Sequence, residues 1–357
     1  MEKLHDWISN HQLIVFFCIT FAITWGLGFS YGAVMRGRNF VLAPLVFLAT
    51  CGPALAGIIV RAFTGSSATS GERSRAWFSF LAAMIVATIV FLGHFALING
   101  VALSPNIVGL SIVMVLPVAF IVNVWYTKRP VIGRLRFDVK ASQTSYFWVA
   151  VALILLPGLV LASVLVDQFL GGASNAFTSL PATGIALIGW IALKFLYQFF
   201  FFNGTGEEAG WRGFALPRLQ RRVSPLIASL VLSLIWVPWH VFLWSAEGKP
   251  IDTWSYWLLM YSIHLPSGIV ICWVYNRSRG SLIVAGIAHA AANTAFAVIG
   301  NVDTTPLAVV LWCFTVVIIL VDRMWRGLPP DHPAVYRLFK PADEGAQPAE
   351  AIAESLA

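Results

Sequence analysis

The chain alternates between long blocks of apolar residues and short polar or basic stretches. Ten of these blocks have about the length that an α-helix needs to cross the hydrocarbon core of a bilayer, roughly 20 residues. They cover residues 13–34, 41–62, 77–99, 106–126, 146–169, 182–203, 224–244, 254–275, 282–300 and 305–323. The pattern therefore predicts an all-α fold, a polytopic transmembrane helix bundle of about ten helices that lies in a lipid bilayer.

Composition supports this interpretation and excludes other classes of protein. The chain is 59% hydrophobic and only 11% charged, whereas about a quarter of a soluble globular chain is charged. The net charge is +7, but no patch of interleaved basic and aromatic residues indicates a nucleic-acid surface. We therefore expect no nucleic-acid partner. The four cysteines all lie inside apolar blocks without a CxxC pair, which is typical of small buried hydrophobes.

The distribution of basic residues predicts how the helices cross the membrane. Lys and Arg are enriched in cytoplasmic loops. With ten spans and both termini inside, most of the 23 basic residues fall on the cytoplasmic side. The exceptions are Arg36, Arg38 and Lys249 in outer loops and Lys194 within a span. We therefore expect a multi-pass integral membrane protein of the cell (plasma) membrane, with both ends cytoplasmic.

The chain divides by composition into four parts. N-terminal transmembrane helices occupy residues 1–170, and residues 182–300 hold most of the polar groups that lie within apolar blocks. A last transmembrane helix covers 301–323. The Pro-, Ala- and Glu-rich residues 324–357 are expected to form a disordered cytoplasmic tail. We expect the functional core in residues 182–300, in the C-terminal half of the chain.

Polar side chains inside this core stand at helical spacing. Ionisable residues within membrane spans are costly and commonly mark functional sites. Glu208 and Arg212 are four residues apart, so they share a helix face and can pair, which leaves the adjacent Glu207 free for chemistry. His289 and Asn293 have the same spacing and share a face. Two polar side chains that point the same way indicate a lined cavity.

Glu207 and His240 lie at equal distances along their helices from the same turn. Arg222 and Pro225 mark a turn between two helical segments. Glu207 lies 15 residues before Arg222, and His240 lies 15 residues after Pro225. At 1.5 Å per residue, both lie about 22 Å from the same turn. An antiparallel hairpin would place them side by side, and the sequence Asn203–Gly206 is expected to break or distort the preceding helix.

A carboxylate and two histidines around one water form a set that can hydrolyse an amide. Glutamate can act as the general base, while His and Asn groups hydrogen-bond the developing oxyanion. The side chains of Glu207, His240 and His289 could also bind Zn²⁺ and leave one position for water. The cofactor is therefore open between Zn²⁺ and a metal-free glutamate mechanism.

Three short motifs follow one another in this region. Residues 207–212 fit EExxxR and residues 289–293 fit HxxxN. His240 stands in an FxxxH-like context, with Trp236 in place of the usual Phe and Trp244 where some relatives have Asn. In this order the motifs resemble those of the CAAX-processing and bacteriocin-processing intramembrane proteases, the type II CAAX prenyl endopeptidase-like family.

The resemblance implies an activity and a role for each motif residue. The expected enzyme is an intramembrane endopeptidase that acts on a peptide or protein near the cytoplasmic membrane face. The resemblance implies that residues 182–300 are its protease-like catalytic core. CAAX-type C-terminal processing and bacteriocin-related processing are the two implied reactions. The implied roles are water activation by Glu207, support by Glu208 and Arg212, water binding by His240, and oxyanion stabilisation by His289 and Asn293.

Other functions are compatible with parts of this pattern. A transporter or channel could use the carboxylates to carry protons or cations, and an immunity or scaffold protein could keep the fold without catalysis. Glu207 and Glu208 could end a span at the interface, and His240 could belong to an aromatic belt with Trp239 and Trp244. His289 and Asn293 could serve helix packing alone.

The basic-residue asymmetry generates a topology prediction. A reporter fused at Lys249 and a second reporter fused in the tail should lie on opposite sides of the membrane. Compartment-specific activity of the two reporters in intact cells measures this. Activity of both reporters on the same side would contradict ten spans with cytoplasmic ends.

Overall fold

The computed structural model describes residues 2–29, 43–64, 73–126, 145–172, 176–177, 180, 183–300 and 302–335. The helices in these ranges are α1 Glu2–Asn10, α2 Gln12–Gly28, α3 Ala43–Thr50, α4 Gly52–Thr64, α5 Arg73–Gly93, α6 Pro105–Tyr126, α7 Tyr146–Phe169, α8 Gly184–Phe201, α9 Pro225–Trp239, α10 Val241–Ala246, α11 Trp254–Arg277, α12 Leu282–Ile299 and α13 Thr304–Val321. The predicted all-α fold is confirmed.

Eight helices of the described ranges are long and apolar enough to cross a membrane. The count rises to nine if α1 and α2, which meet at an angle of 91°, form one broken span. The chain is therefore a multi-pass integral membrane protein. The predicted number of about ten included two segments that are not single long helices, 13–34 and 41–62.

The segment 41–62 is divided at Cys51 into the short helices α3 and α4. Gly52 and Pro53 open α4, and proline both lacks an N–H donor and disfavours the helical conformation of the residue before it. The apolar pattern therefore continues across a break in the backbone. In the segment 13–34, α2 ends at Gly28, and residues 30–34 lie outside the described residues.

Helix α8 positions the candidate site because the helix continues far beyond residue 203, the predicted end of its apolar run. The continuous helical segment Gly184–Gln220 is 37 residues long and ends in the short helix Leu216–Gln220. The label α8 refers below to this whole segment. Two π-helical turns, Asn203–Glu208 and Trp211–Ala215, interrupt its α-helical geometry. The expected distortion at Asn203–Gly206 is thus confirmed. Such π turns inside α-helices frequently occur at functional sites.

Glycines allow the distorted part of α8 to lie against its neighbours at backbone distance. A Cβ atom on Gly210 would lie 2.3 Å from the carbonyl carbon of Pro53, and one on Gly206 would lie 2.9 Å from the Thr50 oxygen. On the other side, a Cβ on Gly286 of α12 would lie 3.0 Å from the Cα of Gly204. The break between α3 and α4 and the middle of α12 therefore both contact this segment directly.

Helix α9 returns antiparallel to α8 after the predicted turn. Ser224 caps its N-terminus by accepting a hydrogen bond from the Ile227 N–H, and Pro225 occupies the first turn, as is typical of helix starts. Helix α9 packs against α11, and α12 packs against α7, α8 and α11. Helices α8, α9 and α12 carry the three motifs, and α11 packs against the last two.

The residues after α13 lie against the bundle as far as they are described. The Met324 carbonyl accepts a hydrogen bond from the Leu226 N–H at 3.0 Å, and the Gln220 amide donates to the Ala334 carbonyl at 3.0 Å. Residues 324–335 thus contact the ends of α8 and α9. Residues 336–357, most of the predicted disordered tail, lie outside the described residues.

The close approach at Gly210 predicts a selective loss of stability. Gly210→Ala should lower the free energy of unfolding by about 1–3 kcal/mol, because the new methyl group meets the Pro53 backbone, which cannot move freely. Gly189→Ala on the same helix is the matched control, since nothing lies within 4 Å of its added Cβ. Unfolding of both variants in detergent measures the difference. Equal stability of the two would contradict the close packing of α4 on α8.

Candidate active site

The second carboxylate of the pair is neutralised inside the bundle. Glu208 is fully buried, and Arg212 is 2% exposed. The Arg212 Nη1 donates to Glu208 Oε1 at 2.8 Å, and the His289 Nδ1 lies 2.8 Å from the same oxygen. The predicted pairing of Glu208 with Arg212 is confirmed, and it is a buried pair. The pair is therefore enclosed by the protein and is not an exposed charged pair at the end of a span.

The first carboxylate is bound by neutral donors instead. Glu207 is 5% exposed, and its Oε1 accepts a hydrogen bond from the Asn203 Nδ2 at 3.1 Å. Its Oε2 accepts one from the Trp236 Nε1 at 2.7 Å. The two adjacent glutamates therefore have different environments, since one is paired with a cation and the other with an amide and an indole.

Asn203 connects the three motif elements. Its Nδ2 group donates to Glu207 and also lies 3.3 Å from the His289 Nε2. Its Oδ1 accepts a hydrogen bond from the Asn293 Nδ2 at 3.1 Å. Because the His289 Nδ1 faces the Glu208 carboxylate, it carries the proton, and the Nε2 accepts from Asn203. Every contact of the Asn203 side chain is thus consistent with one orientation of its amide.

His240 lies beside Glu207, as equal helical depth predicted. The His240 Nε2 and the Glu207 Oε2 are 4.0 Å apart, which is too long for a direct hydrogen bond. The His240 Nδ1 lies 2.9 Å from the Trp236 carbonyl oxygen. A carbonyl only accepts, so Nδ1 carries the proton, and the Nε2 of the neutral ring is an acceptor. Two acceptors therefore face each other across 4.0 Å.

All six residues predicted from the motifs lie in one connected cluster. Glu207 and Glu208 belong to a π turn of α8, Arg212 to the next π turn, His240 to the end of α9, and His289 and Asn293 to α12. Hydrogen bonds link five of them through Asn203, and His240 completes the group at 4.0 Å from Glu207. Their chemical roles stay predictions.

Sequence reasoning missed three members of this cluster. Asn203 stands four residues before Glu207, the spacing that identified the other pairs. Trp236 was treated as a departure from a motif, yet its indole binds the carboxylate. His264 has no motif around it in the sequence, but its ring lies 5.3 Å from the rings of His240 and Trp236. His264 lies 13 residues before Arg277, which is about 20 Å along the helix from that basic residue. Glu207 lies at a similar distance along its own helix from Arg222.

Comparison with known proteins finds a family model that is similar to the same region. Residues 189–295 match the family model described as type II CAAX prenyl endopeptidase Rce1-like. The motif residues and Asn203 all lie within this match.

A named relative supports the assignment over a longer stretch. The protein named CAAX prenyl protease 2 of Methanococcus maripaludis (strain DSM 14266) is 30% identical to this chain over 167 residues. That similarity covers 45% of this chain and 59% of the relative. The chain therefore spans less than two thirds of the length of this relative.

The side chains of this cluster offer poor geometry for the zinc site that the sequence left open. Among the described residues, no group of three His, Cys, Asp or Glu side chains is arranged to hold a metal ion. Both Glu207 oxygens accept protein hydrogen bonds. Both His289 nitrogens contact Glu208 and Asn203. In this arrangement Glu207, His240 and His289 do not converge on a common point, so we route no step through a metal.

The buried ion pair generates a stability prediction with an internal rescue. Arg212→Met should lower the free energy of unfolding by about 3–5 kcal/mol, because it leaves the Glu208 charge buried without its cation. Adding Glu208→Gln should restore most of this loss, since the neutral amide oxygen can still accept from His289. Denaturant unfolding of the single and double variants in detergent measures the coupling. If the double variant is no more stable than the single variant, Glu208 is not a buried anion.

Proposed function

We propose that this protein is an intramembrane endopeptidase that hydrolyses a peptide bond with a water activated by Glu207. The observation that carries the proposal is the pair of acceptors, Glu207 Oε2 and His240 Nε2, at 4.0 Å. A water between two such acceptors can donate one hydrogen to each. Its oxygen lone pairs then point away from both side chains, toward a bound substrate.

The reaction follows from this geometry. Glu207 removes one proton from the water while the water oxygen forms a bond to the scissile carbonyl carbon. The carbonyl π electrons move to its oxygen, which becomes an oxyanion. When the C–N bond breaks, the protonated Glu207 delivers its proton to the leaving nitrogen. The carboxylate is thereby regenerated, and the products are a carboxylic acid and an amine.

Asn293 is the best-placed donor for the oxyanion. One hydrogen of its Nδ2 group is used in the bond to Asn203, which leaves the second hydrogen to donate. His289 has no free N–H in this arrangement, because its Nδ1 is bound to Glu208 and its Nε2 accepts from Asn203. The motif resemblance implied that His289 and Asn293 both stabilise the oxyanion. We assign the oxyanion contact to Asn293 alone, and we assign His289 to holding the cluster together.

The salt bridge of Glu208 with Arg212 leaves Glu207 as the carboxylate of the pair that is free to act. Two unpaired carboxylates in adjacent positions would repel each other, and one would stay protonated. Arg212 cancels the charge of Glu208 at 2.8 Å. The supporting role proposed for Glu208 and Arg212 is therefore electrostatic.

The substrate class proposed is a C-terminal CAAX segment with a prenylated cysteine. The relative is named CAAX prenyl protease 2, and the matching family model is described as a CAAX prenyl endopeptidase. A prenyl chain inserts into lipid, so it would bring the peptide to helices that already lie in the bilayer. Of the two reactions that the motifs imply, these observations favour CAAX processing.

Glu207→Gln is the direct test of this mechanism. It keeps the size and the acceptor oxygen of the side chain but removes the base, so cleavage should fall by at least about 10²–10⁴-fold with folding unchanged. The exposed Glu247, which follows α10, provides the matched control Glu247→Gln. The measurement is cleavage of a farnesylated CAAX peptide by the full chain in liposomes, repeated with a chelator that should not lower the rate.

Other outcomes would contradict the proposal in distinct ways. Full activity of Glu207→Gln would remove Glu207 as the base. Loss of activity with chelator, restored by Zn²⁺, would replace the proposed mechanism with a metal-dependent one. Absence of cleavage by the folded wild-type protein for farnesylated, geranylgeranylated and unprenylated peptides would favour the scaffold function.

A further inference from the structure

We infer that Asn203 and Trp236 form a two-donor clamp that fixes the Glu207 carboxylate in the position from which it acts. The inference rests on the proposed function of Glu207 and adds two positioning residues to it. Neither residue belongs to the motif positions to which a role was assigned from sequence. Asn203 lies on α8 and Trp236 on α9, so the clamp joins the two arms of the hairpin.

The geometry of the clamp is complementary to the carboxylate. Trp236 Nε1 donates to Oε2 at 2.7 Å, and Asn203 Nδ2 donates to Oε1 at 3.1 Å. Each oxygen thus receives one donor. Trp236 is 4% exposed and Asn203 is 2% exposed, so water does not compete freely for these bonds. A carboxylate bound through both oxygens cannot rotate about its last torsion without breaking both contacts.

Trp236 also positions the group that faces Glu207. Its backbone carbonyl holds the His240 Nδ1 at 2.9 Å, and its ring meets the His240 ring edge-on at 5.2 Å. The same residue therefore fixes the carboxylate through its side chain and the His240 ring through its backbone. Trp236 therefore contacts both of the groups whose acceptor atoms are 4.0 Å apart, and this spacing depends on both contacts.

The remaining contacts of Trp236 keep its indole in place. The Arg212 guanidinium lies over the ring at 5.4 Å, a cation–π distance. The His264 and His289 rings meet it edge-on, each at 5.3 Å. Phenylalanine, the usual residue at this motif position, would keep the aromatic packing on this face but would leave Oε2 without its donor. Trp236→Phe therefore removes the hydrogen bond and keeps an aromatic ring, although the phenyl ring is smaller than the indole.

The clamp matters for rate because small displacements of a base are costly. A shift of about 1 Å in a reacting group can reduce the rate about 10²-fold. Without the indole N–H, the carboxylate can turn away from the water position beside His240. Trp236 is only 4% exposed, so we expect it to contribute little to substrate affinity. The expected signature is a loss in kcat with little change in KM.

The kinetic test uses the full chain in liposomes with the farnesylated CAAX peptide. Trp236→Phe should lower kcat by about 10- to 100-fold and leave KM within a few-fold of wild type. Trp239→Phe is the matched control. It lies three residues further along α9 and is equally buried, but its indole donates to Thr24 Oγ1 at 2.8 Å instead of to Glu207. The control should lose stability to a similar extent and keep its kcat.

An infrared measurement tests the clamp without relying on cleavage. The band of the Glu207 carboxyl group is obtained as the difference between each protein and the same protein with Glu207→Gln. Losing a donor should shift this band in Trp236→Phe and in Asn203→Ala, but not in Trp239→Phe. If Trp236→Phe does not fold, the Asn203→Ala spectrum carries the test of the clamp.

The two measurements separate the clamp from the proposed function. If the band shifts in the two variants but the wild-type protein cleaves no peptide, the clamp stands and the peptidase function is rejected. An unshifted band in both Trp236→Phe and Asn203→Ala would overturn the clamp, whatever the activity. Equal loss of kcat in Trp236→Phe and Trp239→Phe would also overturn it, since the effect would then be one of packing.

Discussion

The burial of two adjacent carboxylates within a helical bundle is the constraint on which the rest of this structure depends. A buried charge without a partner costs several kcal/mol, so each glutamate needs partners within reach. Glu208 meets this requirement with Arg212 one helical turn away and with His289 from α12. Glu207 meets it with the neutral donors Asn203 and Trp236. The difference leaves one carboxylate fixed in a salt bridge and the other able to accept a proton.

These requirements account for the unusual backbone of α8. A π turn from Asn203 to Glu208 places an asparagine and a glutamate where their side chains bond, while the next residue points to α12. The glycines of this segment remove the side chains that would keep the neighbouring backbones apart. Gly204 contacts α12, and Gly206 and Gly210 contact the break between α3 and α4. The N-terminal helices thereby support the same segment that carries the carboxylates.

The sequence was sufficient for the features that depend on spacing along one helix. The Glu208–Arg212 pair and the equal depth of Glu207 and His240 followed from residue numbers and helical geometry. It was not sufficient where the backbone departs from a helix or where a partner comes from another element. The break at Gly52–Pro53 lay inside an apolar block, so hydropathy alone did not reveal it. Asn203, Trp236 and His264 are polar or amphipathic groups whose role depends on contacts across helices.

The proton positions on His240 and His289 also required the structure, because each is set by the partner of the opposite ring nitrogen. The proposed mechanism therefore depends most directly on the space between Glu207 Oε2 and His240 Nε2. An experimental structure of the wild-type protein in lipid, at a resolution that shows ordered water, tests it. If Glu207 activates a water in this space, that water should lie within about 2.6–3.2 Å of both atoms. A direct Glu207–His240 hydrogen bond, or a metal ion bound by these two residues, would contradict it.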